Sequence, residues 1–310
     1  MKDRLVKNQV NLVDDLNNIY SVGKDRYGLS EGQCFFIDSE KKVLIESGNS
    51  LAFGKIVEDL SELGIKNLDY IMVTHIHMDH AGGAGYLLDR YPDTEIVVHE
   101  SGSNHLVDPA KLKKSVKKVT GSAFKYFGDI KPIPEENIVP VSGGERFDLG
   151  RGYSIEVIYS PGHAPHHTCF LERKTGSLAL GDVAGRYYPE KDALFPTTPP
   201  PNFDLQENLK TLSRLKDLDL DFLLYSHKRW SDQPNENLSR YEAELEEWVD
   251  EIKGISTACD DKEDVIERII KKYEPKLKRL LDGDDEKVKH ILRMNTKGVL
   301  LYLEKKPGQR

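Results

Sequence analysis

Four residues able to hold a metal ion fall within six positions of the stretch Thr74-His75-Ile76-His77-Met78-Asp79-His80-Ala81-Gly82-Gly83. Imidazole nitrogens and a carboxylate are the ligands zinc takes when thiolates are absent. In an extended chain His75, His77 and Asp79 share one face, and the chain must turn for His80 to join them. The two glycines that follow permit such a turn and let the next helix approach closely. A merely solvated turn would not explain why the cluster follows residues 68–73, a run that is apolar except for Asp69. Three later positions extend the set: His163 after residues 155–159, Asp182 after 178–180, and His227 after 222–225. Each alone reads as a cap or turn residue. Together, each following a strand-like run, they would bring ligands from distant segments to one edge of a sheet.

The elements that must position these residues alternate through the first half of the chain. Residues 33–37 and 42–46 read as strands, 52–63 as a helix stopped by Gly64, and 68–73 as the strand that delivers the cluster. A helix over 85–91, a strand over 95–99 and a mainly helical 102–128 follow, then strands over 155–159, 168–171 and 177–180. Residues 186–204, rich in proline, read as one long loop, and a loop of that length inside a domain is more often functional than accidental. Its aromatics Tyr187, Tyr188 and Phe195, with Lys228 beside His227, are the candidate substrate contacts. Residues 205–215 have helical spacing, 222–225 form a strand, and nearly everything from Asn235 onward is helical. The reading is a catalytic domain over 1–233 with a mainly helical C-terminal extension over 234–310 packed on it.

On these motifs the chain resembles the metallo-β-lactamase superfamily over roughly residues 30–230. The resemblance implies an α/β fold, a four-layered αβ/βα sandwich with two divalent metal ions at one edge of its paired sheets. Zinc is the first expectation, with iron or manganese as alternatives. It further implies His75, His77 and His163 on one metal, Asp79, His80 and His227 on the other, Asp182 bridging, and Asp79 as the catalytic carboxylate. His77 stands where the flavodiiron branch usually has Glu. Asp182 is similar to the bridging residue of the hydroxyacylglutathione hydrolase and lactonase branches. Glu46 occupies a supporting position where the family often has Asp. Residues 98–109 and 160–167 resemble a group of prokaryotic, often archaeal, metallo-hydrolases.

Among the other histidines, one of His166 and His167 could orient a ligand by a hydrogen bond, while His99, His105 and His290 read as structural. The three scattered cysteines, Cys34, Cys169 and Cys259, argue against a disulfide framework or a thiolate zinc site. No apolar run approaches the roughly 18 residues of a membrane span, and the polar, charged residues 1–11 do not read as a secretory signal. A cytoplasmic protein is therefore expected, possible as a homodimer. The formal charge of −8 over 310 residues disfavours nucleic acid as partner, since phosphate contacts supply most of that affinity. The Lys111 to Lys118 run fits the solvated face of a helix. A small-molecule substrate is the expectation, and the leading function is hydrolysis of a carboxylic ester, thioester or lactone. The rivals are a phosphodiesterase or ribonuclease on the same two-metal site, and a mononuclear iron enzyme resembling the persulfide dioxygenases on His75, His163 and Asp182.

Overall fold

A computed structural model describes residues 11–12, 16, 18–25, 32–227, 229–281 and 284–305. Residues 1–10, which carry most of the stretch tested above for a secretory signal, lie outside these, as does Lys228. The first sheet holds seven strands in sequence order: β1 (Asn11–Leu12), β2 (Ile19–Asp25), β3 (Gly32–Asp38), β4 (Lys42–Ile45), β5 (Tyr70–Met72), β6 (Glu95–His99) and β7 (Ile138–Val141). The chain then builds β8 (Arg146–Gly150), β9 (Tyr153–Tyr159), β10 (Thr168–Glu172) and β11 (Ser177–Gly181). A separate hairpin follows, β12 (Arg186–Tyr188) and β13 (Ala193–Phe195), and then β14 (Phe222–Tyr225) and β15 (Trp230–Ser231). The second sheet is ordered β15-β14-β11-β10-β9-β8.

Strand composition explains why the sheets stack. Phe35, Ile37, Val43, Ile45, Met72 and Val97 meet Ile155, Val157, Phe170, Ala179 and Leu224 in one apolar cluster between the sheets. The alternate residues, Cys34, Phe36, Leu44, Ile71 and Val98 on one side and Cys169, Leu171, Leu178 and Leu223 on the other, join a second cluster with the helices. Because side chains alternate faces along a strand, a strand buried on both faces must be apolar throughout. That requirement yields the helix–sheet–sheet–helix layering expected from the sequence.

The helices are α1 (Phe53–Glu62), α2 (Met78–Ala81), α3 (Ala84–Leu87), α4 (Glu100–Val107), α5 (Ala110–Thr120), α6 (Leu205–Lys216), α7 (Pro234–Ser256), α8 (Lys262–Leu280) and α9 (Asp285–Glu304). Asp204, Asp261 and Asp284 cap α6, α8 and α9 by accepting from backbone N–H groups of the first turn. The three C-terminal helices share the outer apolar cluster with the body: Leu238, Trp248, Ile269 and Val299 belong to the same cluster as Leu180 and Phe195. No helix among the described residues is long and apolar enough to cross a membrane.

Two expectations about elements need correction. The helix expected over 85–91 is only the single turn of α3, followed by hydrogen-bonded turns up to Tyr91. Residues 186–204 are not one open loop. Arg186 pairs with Phe195 and Tyr188 with Ala193 across a hairpin whose turn contains Asp192 at φ 44°. Tyr187-Tyr188 and Leu194-Phe195 are strand formers, and Pro189 begins the turn between them.

Candidate metal centre

Direction of the strands is what gathers the site. β4, β5 and β6 run parallel, and their ends lead into Glu46, the histidine cluster and α4. In the second sheet β9 and β11 are each antiparallel to β10, and β11 is parallel to β14. β9, β11 and β14 therefore point the same way, and they are followed by His163, Asp182 and His227. The residue before Asp182 must be glycine: Gly181 sits at φ +55°, and a Cβ there would lie 2.4 Å from Thr74 Oγ1 and 2.6 Å from His167 Nε2.

The structure brings all seven residues together. His77 Nδ1 lies 2.9 Å from His75 Nε2 and 3.1 Å from His163 Nε2. His227 Nε2 is 3.2 Å from Asp182 Oδ1 and 3.7 Å from Asp79 Oδ2. Three ligand groups result, His75–His77–His163, Asp79–His80–His227 and His75–His80–Asp182, each with its donor atoms within 4.8 Å of one another. Asp182 stands between the two histidine sets.

Hydrogen bonds outside the cluster decide which ring nitrogens face inward. Thr74 donates its hydroxyl to Glu46 Oε1 (2.6 Å), so its contact with His75 Nδ1 (3.0 Å) must be one in which the imidazole donates. His75 Nε2 is left with its lone pair. His163 Nδ1 donates to the Thr197 carbonyl (3.1 Å) and His80 Nδ1 to Glu46 Oε1 (2.9 Å), which fixes both rings the same way. Glu46 also accepts from the Thr74 backbone N–H and the Ser226 hydroxyl. It thus ties three of the converging segments together, and its backbone sits at φ 67° to do so. The longer Glu reaches the task. His167 accepts from the Asp182 backbone N–H at 3.2 Å, the orienting role expected of one of the His166–His167 pair.

Electrostatics divide the centre. Burial, reinforced by neighbouring imidazoles, holds His75 and His77 well below the ordinary histidine value, and burial also lowers His163. These three are neutral bases with available lone pairs. For His80, burial is outweighed by the charges of Glu46, Asp182 and Asp79, which push it up to about 10. Burial would raise the Asp182 carboxyl, but His227 and His80 hold it well below the usual carboxylate range. His80 Nε2 is buried without a hydrogen-bond partner, 3.5 Å from Asp182 Oδ1. A neutral three-imidazole set beside a carboxylate-rich set with unspent donor atoms fits divalent metal ions.

A cavity of about 450 Å³ opens on this centre, with His77, Asp79, His163 and Asp182 in its floor. Leu112, Val116 and Val119 of α5 and Met294 of α9 form an apolar wall, facing Pro199, Pro200 and Pro201. The expected substrate contacts need a further correction. Tyr187, Tyr188 and Phe195 do not border the cavity. Tyr188 and Phe195 are buried, Phe195 against Trp248 (ring centroids 5.6 Å apart) and Tyr187 against Tyr225 (5.3 Å). Hairpin pairing and α7 claim these aromatics, and the same segment contributes Arg186, Thr197 and residues 199–202 to the cavity instead. His105, read as structural, lines it too, while His99 stacks on Tyr159 and accepts from the Ser101 N–H at the start of α4. Arg186, Ser101 and Asn295 were missed. Only Arg186 had a signal, a cation four residues past Asp182.

Fold and site together define an αβ/βα sandwich with a bipartite His/Asp centre able to hold metal ions. The chain belongs to the metallo-beta-lactamase superfamily, whose family profile matches residues 27–227. It is 35% identical over 191 residues to a metallo-beta-lactamase fold-containing protein of Sulfurisphaera tokodaii, covering 60% of this chain and 67% of that one. It is 34% identical over 161 residues to a probable metallo-hydrolase of Methanocaldococcus jannaschii, covering 52% and 70%. The crystal structure of an archaeal metallo-beta-lactamase superfamily protein from Sulfolobus tokodaii superposes with a TM-score of 0.69 at 24% identity, over 91% of this chain and 98% of that one.

Proposed function

We propose that the protein is a binuclear metal-dependent hydrolase of a small carboxylic ester, thioester or lactone. The observation that carries this reading is the seven-residue constellation, with Asp182 between two histidine sets, at the floor of a mainly apolar cavity. Divalent metals held there, zinc first, supply Lewis-acid charge to a substrate oxygen and acidify water to a nucleophile near neutral pH. The chain's own residues do the rest. Asp79 is the partly exposed carboxylate of the floor, its side chain 25% accessible, and is placed to take a proton from the attacking water. Thr74, Glu46 and the Thr197 carbonyl keep the imidazoles in one tautomer. The wall of α5 and α9 excludes bulk water from the reacting bond, which strengthens electrostatic interactions in the floor. No other nucleophile is needed.

A cavity of this size suits a small molecule. Nucleic acid fits less well, because a duplex or strand needs a phosphate-neutralising surface, and the chain carries a net charge of −8. The test is a panel of an acyl-glutathione thioester, a homoserine lactone, an aryl ester, a phosphodiester and single-stranded RNA, at fixed zinc and salt. A carbonyl substrate should lead in kcat/KM. RNA exceeding every carbonyl compound tenfold, a transition-state preference of about 1.4 kcal/mol, would reverse the assignment. Elemental analysis should return two metals per chain, and one iron alone would favour the dioxygenase rival.

A further inference from the structure

Arg186 begins β12, four residues after Asp182, and borders the same cavity. It is only 3% exposed, yet its Nε and Nη1 have no hydrogen-bond partner, and among the described residues it forms no ion pair, although Asp79 and Asp182 line the same space. A buried guanidinium left without acceptors is destabilising and is ordinarily paired. A paired role in the core is absent, so the geometry points to an acceptor that arrives with the substrate.

We infer that Arg186 recognises a free carboxylate on the substrate, at a distance from the bond being cleaved. This deepens the hydrolase reading and rests on it for the word substrate. The ligand class follows from what surrounds the charge. Lys111 is the other lysine or arginine lining the cavity, and it is exposed at the rim. One buried positive charge balances one negative charge, which suits a carboxylate better than a phosphate dianion, and the guanidinium's planar donors match a carboxylate's acceptors. Leu112, Val116, Val119, Phe127 and Met294 offer the rest of the molecule an apolar surface. The substrate is thus an acyl compound with an apolar body and a second, uncleaved carboxylate.

Kinetic, calorimetric and melting measurements on the metal-loaded protein test this. In the first, kcat/KM for 4-nitrophenyl hydrogen glutarate is compared with that for 4-nitrophenyl pentanoate, which lacks the free carboxylate. Wild type should prefer the former by about 10–100-fold, the range of a hydrogen-bonded charge pair, and Arg186→Gln should abolish the preference. In the second, calorimetric titration compares 4-phenylbutyrate with 4-phenylbutan-1-ol, neither of which has an acyl bond to hydrolyse. Any contact of the probe with a bound metal is common to both proteins, so loss of the carboxylate preference in Arg186→Gln reports the guanidinium. The same variant, and Arg186→Met as its independent control, should melt about 2–4 °C higher, since an unpaired buried charge has been removed. Equal preferences in wild type and variant, or a lower melting temperature in both variants, would overturn the inference and make Arg186 structural. Tighter Arg186-dependent binding of 3-phenylpropyl phosphate than of 4-phenylbutyrate would overturn the choice of carboxylate. If neither ester is cleaved but the titration difference holds, the hydrolase reading fails and the anion site stands. If both are cleaved without an Arg186-dependent preference, the reverse is true.

Discussion

Glu46 and Asp79 carry opposite kinds of responsibility at the metal centre. Asp79 faces the cavity, where the proposed hydrolysis would take place, whereas the strands behind it hold the core. Asp79→Ala should therefore lower kcat by more than tenfold, a barrier increase above about 1.4 kcal/mol, with an unchanged circular dichroism spectrum. A variant retaining a tenth or more of the turnover would defeat the mechanism. Glu46 touches no substrate, but its two oxygens serve Thr74, His80 and Ser226. Glu46→Gln keeps the volume and loses the charge, so metal affinity should drop about 10–100-fold, the usual cost of losing such outer partners. Competition with a chelating dye measures this directly, and an affinity within twofold of wild type would remove Glu46 from the role. The ligand types were legible in the sequence because a cluster of three histidines and an aspartate has few other uses. Glu46 was legible only as a position. Its reach depends on a positive φ and on partners 28 to 180 residues away, which no local pattern encodes.

At the scale of elements, the strands were the readable part. Strands buried on both faces must be largely apolar, so β3, β4, β10, β11 and β14 stand out as near-continuous runs, while β9 shows as an alternation with Ile155 and Val157 inward. The cavity wall was not readable, because it is made where a segment without a pattern meets a distant helix. Asn295 of α9 accepts from the Thr198 N–H (2.9 Å) and donates to the Pro196 carbonyl (3.2 Å). Trp248 of α7 donates its indole N–H to Thr198 Oγ1 (3.1 Å). The approach is so close that a Cβ on Gly298 would lie 1.9 Å from the Thr198 carbonyl oxygen. Asn295→Ala orphans two buried backbone groups, so it should destabilise the chain by about 1–3 kcal/mol and raise KM. Metal content should stay as it is, because no ligand is touched. A parallel loss of metal would show that α9 supports the centre itself.

Across the whole molecule, the buried histidines link stability to acidity. His75, His77, His163, His166 and His167 are all held below the ordinary value of 6.5, by burial first, with His166 at about 3. Below pH 6.5 the unfolded chain binds protons that the folded chain refuses, so this part of the stability is present above 6.5 and is lost as the pH falls. His80, raised to about 10, is protonated in the folded state throughout that range and adds only a small opposing slope near pH 6.5; its own contribution is full at acid pH and is lost as the pH rises from 6.5 towards 10. The melting temperature of metal-stripped protein should therefore decline from pH 6.5 to pH 5, each such group contributing up to about 1.4 kcal/mol per pH unit. A flat profile over that interval would contradict it.

The wall supplied by α9 also has a consequence in time. Every candidate metal ligand has been synthesised once His227 is joined, but Met294 and Asn295, which line the cavity, are still to come. At about 5–20 residues per second, the ribosome adds them roughly 3–14 s later. A growing chain thus owns its whole candidate ligand set before it owns the wall of its cavity, and whatever the cavity discriminates is a property of the chain only after α9 has arrived.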